Sequence, residues 1–236
     1  MRLILAADEF DAAEIAAERI AAACRRAVPD RGRAVIALSG GTTPWRMLEH
    51  LRTCDLPWHR IHVAQVDERV APRGDPDRNL TQLERILVTN GPLPPEHLLA
   101  MPVGAANPEF AAAEYQQCLE TLAGRPLVLD LVQLGLGVDG HTASLVPGDP
   151  VLEVTTRDVA LSGAYGGRQR MTLTFPALDR ARQRLWLVTG AAKAARLDEL
   201  VAGDAAYDSP ALRVNRAGSV VIADGAARPR SGRSPG

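Results

Sequence analysis

The residues able to do chemistry gather in three short stretches. The richest is Gly135-Leu136-Gly137-Val138-Asp139-Gly140-His141-Thr142-Ala143-Ser144, which sets an aspartate and a histidine among glycines. An imidazole titrates near neutrality, so His141 is a candidate general base, with Asp139 two residues away as a candidate partner. The other histidines (His50, His59, His62 and His97) fall on helix, loop or strand positions without such a setting. A second stretch, Ser39-Gly40-Gly41-Thr42-Thr43-Pro44, offers backbone that can approach a ligand closely, followed by the start of a helix. Unpaired N–H groups and the positive dipole end there suit a phosphate. An ordinary strand-to-helix turn with a capping threonine explains the same residues. The third is Asp67-Glu68-Arg69. Arg69 can fork onto a phosphate or carboxylate, and Asp67 can orient a histidine or hold sugar hydroxyls. Taken alone, these charges could equally be solvated.

Each stretch needs an element to hold it. Leu3–Ala6, Ala34–Leu38, Ile61–Val66, Leu127–Leu136, Val159–Ser162, Met171–Phe175, Leu185–Thr189 and Val220–Ala223 read as strands, several of them uniformly apolar. Helices are expected over Asp8–Val28, from Pro44 onward, and over Asn79–Val88, Glu109–Leu122 and Ala192–Val201. In the first helix, Phe10, Ala13, Ala17, Ile20, Cys24 and Val28 form one apolar stripe, with Asp8 as N-cap and Pro29 as a stop. Thr43 is expected to cap the helix that opens at Pro44. Strand and helix alternate, which implies crossover units and a three-layer α/β fold. Its mainly parallel, Rossmann-like sheet carries helices on both faces. All three chemical stretches follow strands, the edge at which such sheets hold ligands. One domain over residues 1–225 is expected, with 226–236, rich in Arg, Pro, Ser and Gly, as a flexible tail.

Composition narrows the function. Lys and Arg total 27 against 28 Asp and Glu, a net charge of -1, which argues against a nucleic-acid partner. Three unclustered cysteines argue against a disulfide framework and fit a reducing, cytoplasmic setting. No apolar run approaches the roughly 20 residues of a membrane span, and Met1–Ala7 is too short for a signal peptide. No His, Cys, Asp or Glu cluster has metal-ligand spacing, so no catalytic metal is expected. The Gly135–Gly140 string satisfies the GxGxxG pattern of dinucleotide sites. Pro147-Gly148, however, denies it the long helix that such a fingerprint opens. The Ser39 loop lacks the Gly-Lys-Ser/Thr of a Walker loop.

Together with Arg170-Met171-Thr172 and Gly190-Ala191-Ala192-Lys193, and in this order along the chain, these stretches resemble those of the 6-phosphogluconolactonases. The Asp-Gly-His-Thr-Ala-Ser string is the most specific part of the resemblance. It implies the layered fold shared with glucosamine-6-phosphate deaminases and ribose-5-phosphate isomerases. It also implies cofactor-free hydrolysis of 6-phospho-D-glucono-1,5-lactone, a phosphosugar lactone of the oxidative pentose phosphate pathway. His141 would activate water, and Asp139 or Asp67 would fix the imidazole or the sugar hydroxyls. Gly40, Gly41, Thr42, Arg69, Asn79, Arg170 and Lys193 would bind substrate and its phosphate. Loop amides near Gly137–Gly140 are candidates for the developing oxyanion. The family's usual Ser-Asn is Arg78-Asn79 here, and its usual Phe is Val146. Either Arg168 or Arg170 would face substrate. A deaminase of the same fold typically carries Glu at the position of Val146 and Tyr at that of Arg69. A non-catalytic sugar-phosphate-binding module would leave His141 beside Asp139 unexplained. The expected state is a monomer.

Overall fold

Three strands of this chain, β2 (Ala34–Leu38), β6 (Leu131–Leu134) and β9 (Arg184–Val188), are buried at every position. Uniform burial follows from a central place in a parallel sheet covered on both sides. The computed structural model describes residues 1–203 and 209–228. Its seven-stranded sheet is parallel throughout, in the order β1-β10-β9-β6-β2-β3-β5. Here β1 is Arg2–Leu5, β3 Ile61–Gln65, β5 Leu98–Leu99 and β10 Ser219–Ala223. Alternation along β2 sends Ala34, Ile36 and Leu38 into one core and Val35 and Ala37 into the other. The first core lies under α1 (Glu9–Arg31) and α2 (Thr42–Leu51). The second lies under α4 (Pro108–Ala123), α5 (Phe175–Arg180) and α6 (Ala194–Ala202). The expected three-layer α/β architecture is therefore present.

Several expectations are corrected. Helix α1 does not stop at Pro29 but runs to Arg31, closed by Gly32 at φ 76°. Proline removes one hydrogen bond near the helix end, where the buried Cys24 and Ala27 already hold the last turns. Asp8 caps α1 as expected, accepting from the Phe10 and Asp11 amides. Helix α2 opens at Thr42 with Gly41 as its cap, so Thr43 lies inside it. There its Oγ1 meets that of Thr189 at 2.6 Å. Only Leu131–Leu134 of the long apolar run 127–136 is strand. The helix from Asn79 is α for five residues (α3, Asn79–Leu83) and continues as wider π turns over Glu84–Thr89. Ala227 is buried, and the tail expected over 226–236 lies, from residue 229 onward, outside the described residues.

The largest correction concerns Asp67–Arg69. It is not a loop but a strand, β4, in a second, antiparallel sheet ordered β4-β8-β7. It pairs with β8 (Arg168–Leu173), which pairs in turn with β7 (Val159–Tyr165); both were expected in the main sheet. Phe175, expected to end that strand, instead begins α5. The chain changes sheets at Val66, whose N–H donates to Leu38 of β2 and whose carbonyl accepts from Leu173 of β8. A short helix α7 (Pro210–Arg213) precedes β10.

Alternation in β4 turns Asp67 and Arg69 to one side and Glu68 to the other. Glu68 has no exposed surface. Its carboxylate accepts from the Asn79 and Leu80 amides at the start of α3, both at 2.9 Å, and from Arg78 Nε at 3.3 Å. Glu68→Gln removes the charge that answers the buried Arg78 and turns an amide donor toward two amide donors. It is expected to lower unfolding free energy by about 3–5 kcal/mol, read from urea denaturation. An unchanged midpoint would refute this role for Glu68.

Candidate active site

The strand order places the site. Moving outward from β2, the chain lays β3 and β5 on one side and β6, β9 and β10 on the other, so the carboxyl ends of β2 and β6 flank a crevice. The Ser39-Gly40-Gly41 turn leaves β2, and the Gly135–Ser144 loop leaves β6. They are joined side by side: the Ser39 amide donates to Gln133 Oε1 at 3.0 Å and its hydroxyl to the Gln133 carbonyl at 2.9 Å.

In the second loop, His141 Nδ1 lies 2.6 Å from Asp139 Oδ1, which also accepts from the His141 amide at 3.1 Å. A carboxylate can only accept, so Nδ1 carries the proton and Nε2 is left as the free acceptor. Burial pushes the Asp139 carboxyl up. The hydrogen bonds from the His141 amide and ring, and then from Tyr165, outweigh burial and hold it below its ordinary value. The loop is built around this contact. A Cβ on Gly137 would come within 2.1 Å of His141 Nδ1. Gly140 sits at φ 87°, and its carbonyl accepts from Ser209 Oγ and the Ala211 amide. The Gly137 and Gly140 amides are both engaged inside the loop, bonding the His141 and Gly137 carbonyls. These two N–H groups are therefore not the expected oxyanion donors.

His141 opens into a cleft of ≈ 260 Å³, also lined by Ser39, Gly40, Asp67, Arg69, Asn79, Arg170 and Lys193. An adjoining lobe of ≈ 390 Å³ shares Arg69 and Arg170 and adds Gly41, Thr42, Trp45 and Arg168. Every residue expected to bind substrate thus lines one lobe or the other, and the two arginines line both. In the β4–β8 register Arg69 stands directly opposite Arg170, and Asp67 opposite Thr172. Like charges facing across a strand pair repel, so this pairing favours an anion between them.

Asp67 is buried and does not orient the imidazole. Its Oδ2 accepts from Ser144 Oγ at 2.6 Å and lies 3.8 Å from Arg170 Nη1. Burial raises its carboxyl above the ordinary value against the pull of Ser144, Arg170 and Arg69. Asn79 bridges two of the expected residues, donating to the Asp67 carbonyl at 2.9 Å and accepting from Arg69 Nη1 at 3.2 Å. It also explains Gly40, where a Cβ would meet Asn79 Oδ1 at 1.9 Å. Lys193 stands in a turn after β9; burial lowers its ammonium, with Asp224 pulling the other way. Arg168 is answered by Asp75 at 3.1 Å and Asp77 at 3.4 Å, whereas Arg170 faces the inner cleft. Arg78 is buried, its Nε 3.3 Å from Glu68 Oε2, and it also lines the outer lobe.

Sequence reasoning missed Ser144, Glu68 and Tyr165. Ser144 and Glu68 belong to the Gly135–Ser144 and Asp67–Arg69 stretches, and their roles follow once Asp67–Arg69 is a strand that buries Glu68 and turns Asp67 toward Ser144. Tyr165 carried no local signal. Among the described residues no group of three or more His, Cys, Asp or Glu could hold a metal ion. Burial pushes the Cys24 thiol up to about 12, which removes it as a thiolate nucleophile.

A parallel α/β sheet with a histidine–aspartate pair at its switch point, facing an arginine-lined cleft, is the architecture of an α/β protein whose cleft suits a small anionic ligand. The chain matches the family described as glucosamine-6-phosphate isomerases/6-phosphogluconolactonase over residues 7–222, and it belongs to that family. A 6-phosphogluconolactonase of Synechocystis is 40% identical over 184 residues, 76% of this chain and 76% of that protein. A 6-phosphogluconolactonase of Nostoc is 37% identical over 190 residues, 78% and 79%. The crystal structure of 6-phosphogluconolactonase from Thermotoga maritima aligns with a TM-score of 0.83 at 25% identity. That alignment covers 94% of this chain and 98% of the other.

Gly137→Ala forces the imidazole off Asp139. Any reaction that uses this base is expected to fall about 10²-fold while far-UV circular dichroism is retained. Full activity would show that the close approach is dispensable.

Proposed function

We propose that this chain hydrolyses 6-phospho-D-glucono-1,5-lactone to 6-phospho-D-gluconate, in the cytoplasm and as a monomer. The observation that carries the reading is the Asp139-held His141 opening into the same cleft as the opposed Arg69 and Arg170. One chain supplies all of these groups, which supports a monomer. No helix among the described residues is long and apolar enough to cross a membrane, and all three cysteines are free. These facts support a reducing, aqueous compartment.

A lactone is an activated ester, so a base and a held substrate suffice without a covalent nucleophile. The phosphate docks between Arg69 and Arg170, with Lys193 adding positive charge at the inner lobe. Nε2 of His141 takes a proton as water attacks C1, and the imidazolium is stabilised by Asp139. The tetrahedral intermediate collapses with cleavage of the bond from C1 to the ring oxygen. His141 returns the proton to that oxygen, which becomes the product's hydroxyl. The deaminase reading lacks its residues: position 146 is valine, and Arg69 occupies the cleft where that enzyme's tyrosine would stand.

The test is lactone disappearance at mildly acidic pH, where spontaneous hydrolysis is slow, with substrate generated in situ from glucose 6-phosphate. Wild type should exceed background, and His141→Ala should lose about 10²–10⁴-fold in kcat. Near-normal turnover in that variant would remove His141 from the mechanism. Arg69→Ala should chiefly raise KM, and an unchanged KM would move the phosphate elsewhere. On acidification kcat/KM should fall as the imidazole takes up a proton. Asp139, held below the ordinary carboxyl value, stays ionised through that range.

A further inference from the structure

Tyr165 lies where β7 turns back into β8. Leu161 pairs with Met171 and Ser162 with Arg170, yet Tyr165, not Ala164, pairs with Arg168. One extra residue is therefore inserted in β7. Such a bulge re-aims the side chains beyond it, here turning Tyr165 to the face that carries Arg168 and Arg170. Asp149 anchors the bulge, its Oδ2 accepting from the Gly163 amide at 2.7 Å. Gly166 and Gly167, at φ 61° and 78°, make the tight two-residue return that only residues tolerant of positive φ allow.

The re-aimed side chain touches both halves of the site. The Tyr165 hydroxyl donates to Asp139 Oδ2 at 3.1 Å, the oxygen His141 leaves free. Its ring meets the imidazole edge-on, centroids 5.1 Å apart at 61°. The Arg170 guanidinium lies 5.0 Å from the ring centroid and donates to the Tyr165 carbonyl at 3.3 Å.

We infer that Tyr165 is a positioning residue, fixing Asp139 behind the general base and tying that pair to the arginine that faces the phosphate. The inference rests on the lactonase reading for its kinetic part. Burial and the Asp139 charge both push the phenol up, so it remains the donor throughout the working range. A donor on Oδ2 withdraws charge from the carboxylate. Removing it strengthens the pull of Asp139 on the imidazolium, so protonation of His141 should become easier. The other charged groups lining this cleft are Asp67, Arg69, Arg170 and Lys193, and none is changed by the test.

Tyr165→Phe keeps the ring and deletes only the donor. The acidic limb of its kcat/KM profile should move to higher pH by roughly 0.4–1 unit, a fraction of what one hydrogen bond to a charged group supports. KM on the plateau should stay within about twofold. The His141 imidazole, followed by NMR in the free protein, should titrate higher by the same amount. Tyr165→Leu also removes the face under Arg170 and should raise KM about 2–5-fold. A Phe variant whose imidazole titration and acidic limb both stay within about 0.1 unit of wild type overturns the inference, whether or not the Leu variant folds. Failure of wild type to hydrolyse the lactone would instead overturn the proposed reaction, and the imidazole titration would still decide the role of Tyr165.

Discussion

The buried carboxylate of Glu68 is the constraint on which the site depends. It accepts from Gln65 Nε2, the Arg69 amide, Arg78 Nε and the Asn79 and Leu80 amides. Removing a carboxylate from water is expensive, and here donors from more than one element compensate for it. These come from the end of β3, from β4 and from the first turn of α3, so satisfying Glu68 fixes all three segments at once. The helix start also places two amides at the positive end of the α3 dipole against the charge. With Glu68 pinned below, strand alternation leaves Asp67 and Arg69 no choice but to face the cleft. Gln65, held by Glu68 on one side, accepts from the Met101 amide on the other, extending the lock into the second core.

A second constraint acts on the opposite wall. The loop after β6 must bring an aspartate and a histidine two residues apart into one hydrogen bond, and it does so by removing side chains. Gly137 clears the space that the imidazole fills, and Gly140 turns the chain at a φ closed to most residues. Ala143 adopts φ 52° without a glycine's freedom, a strain of about 1 kcal/mol held in place by its neighbours. Thr142 bonds back to the Gly135 carbonyl, and Ser144 reaches across to Asp67. The base wall and the arginine wall are thereby one network, joined at Ser144–Asp67.

Much of this was legible from sequence. Uniformly apolar runs such as Ala34–Leu38 have one physical explanation, burial on both faces. A histidine among glycines at a strand end is hard to account for as packing. What was not legible depended on partners distant in sequence. Three charged residues, Asp67–Arg69, carry no apolar alternation, so nothing local marks them as a strand. Their pairing is imposed by β8, about a hundred residues away. The choice between Asp67 and Asp139 as partner of His141 was likewise open. The fold decides it: Asp139 turns back across Gly140 onto the ring, while Asp67 is engaged by Ser144. Nothing local to Arg78 marks it as buried, because the carboxylate it answers, Glu68, lies ten residues away on β4.

On the proposed reading, the two walls would divide the work of catalysis in a way the chemistry favours. Arg69 and Arg170 sit on strands whose register is fixed by the main-chain ladder, so an anion held between them is held in a defined place. Such binding is felt equally by substrate and transition state, and alone it would lower KM without raising kcat. It becomes useful only if the same contact fixes the distance from phosphate to reacting carbon, so that holding one end presents the other to the base. The opposed arginines and the histidine belong to one rigid network through Asp67, Ser144 and the loop after β6. On the proposed reading, orientation gained at the phosphate would be kept at the carbonyl, and His141 would meet a substrate already placed for attack.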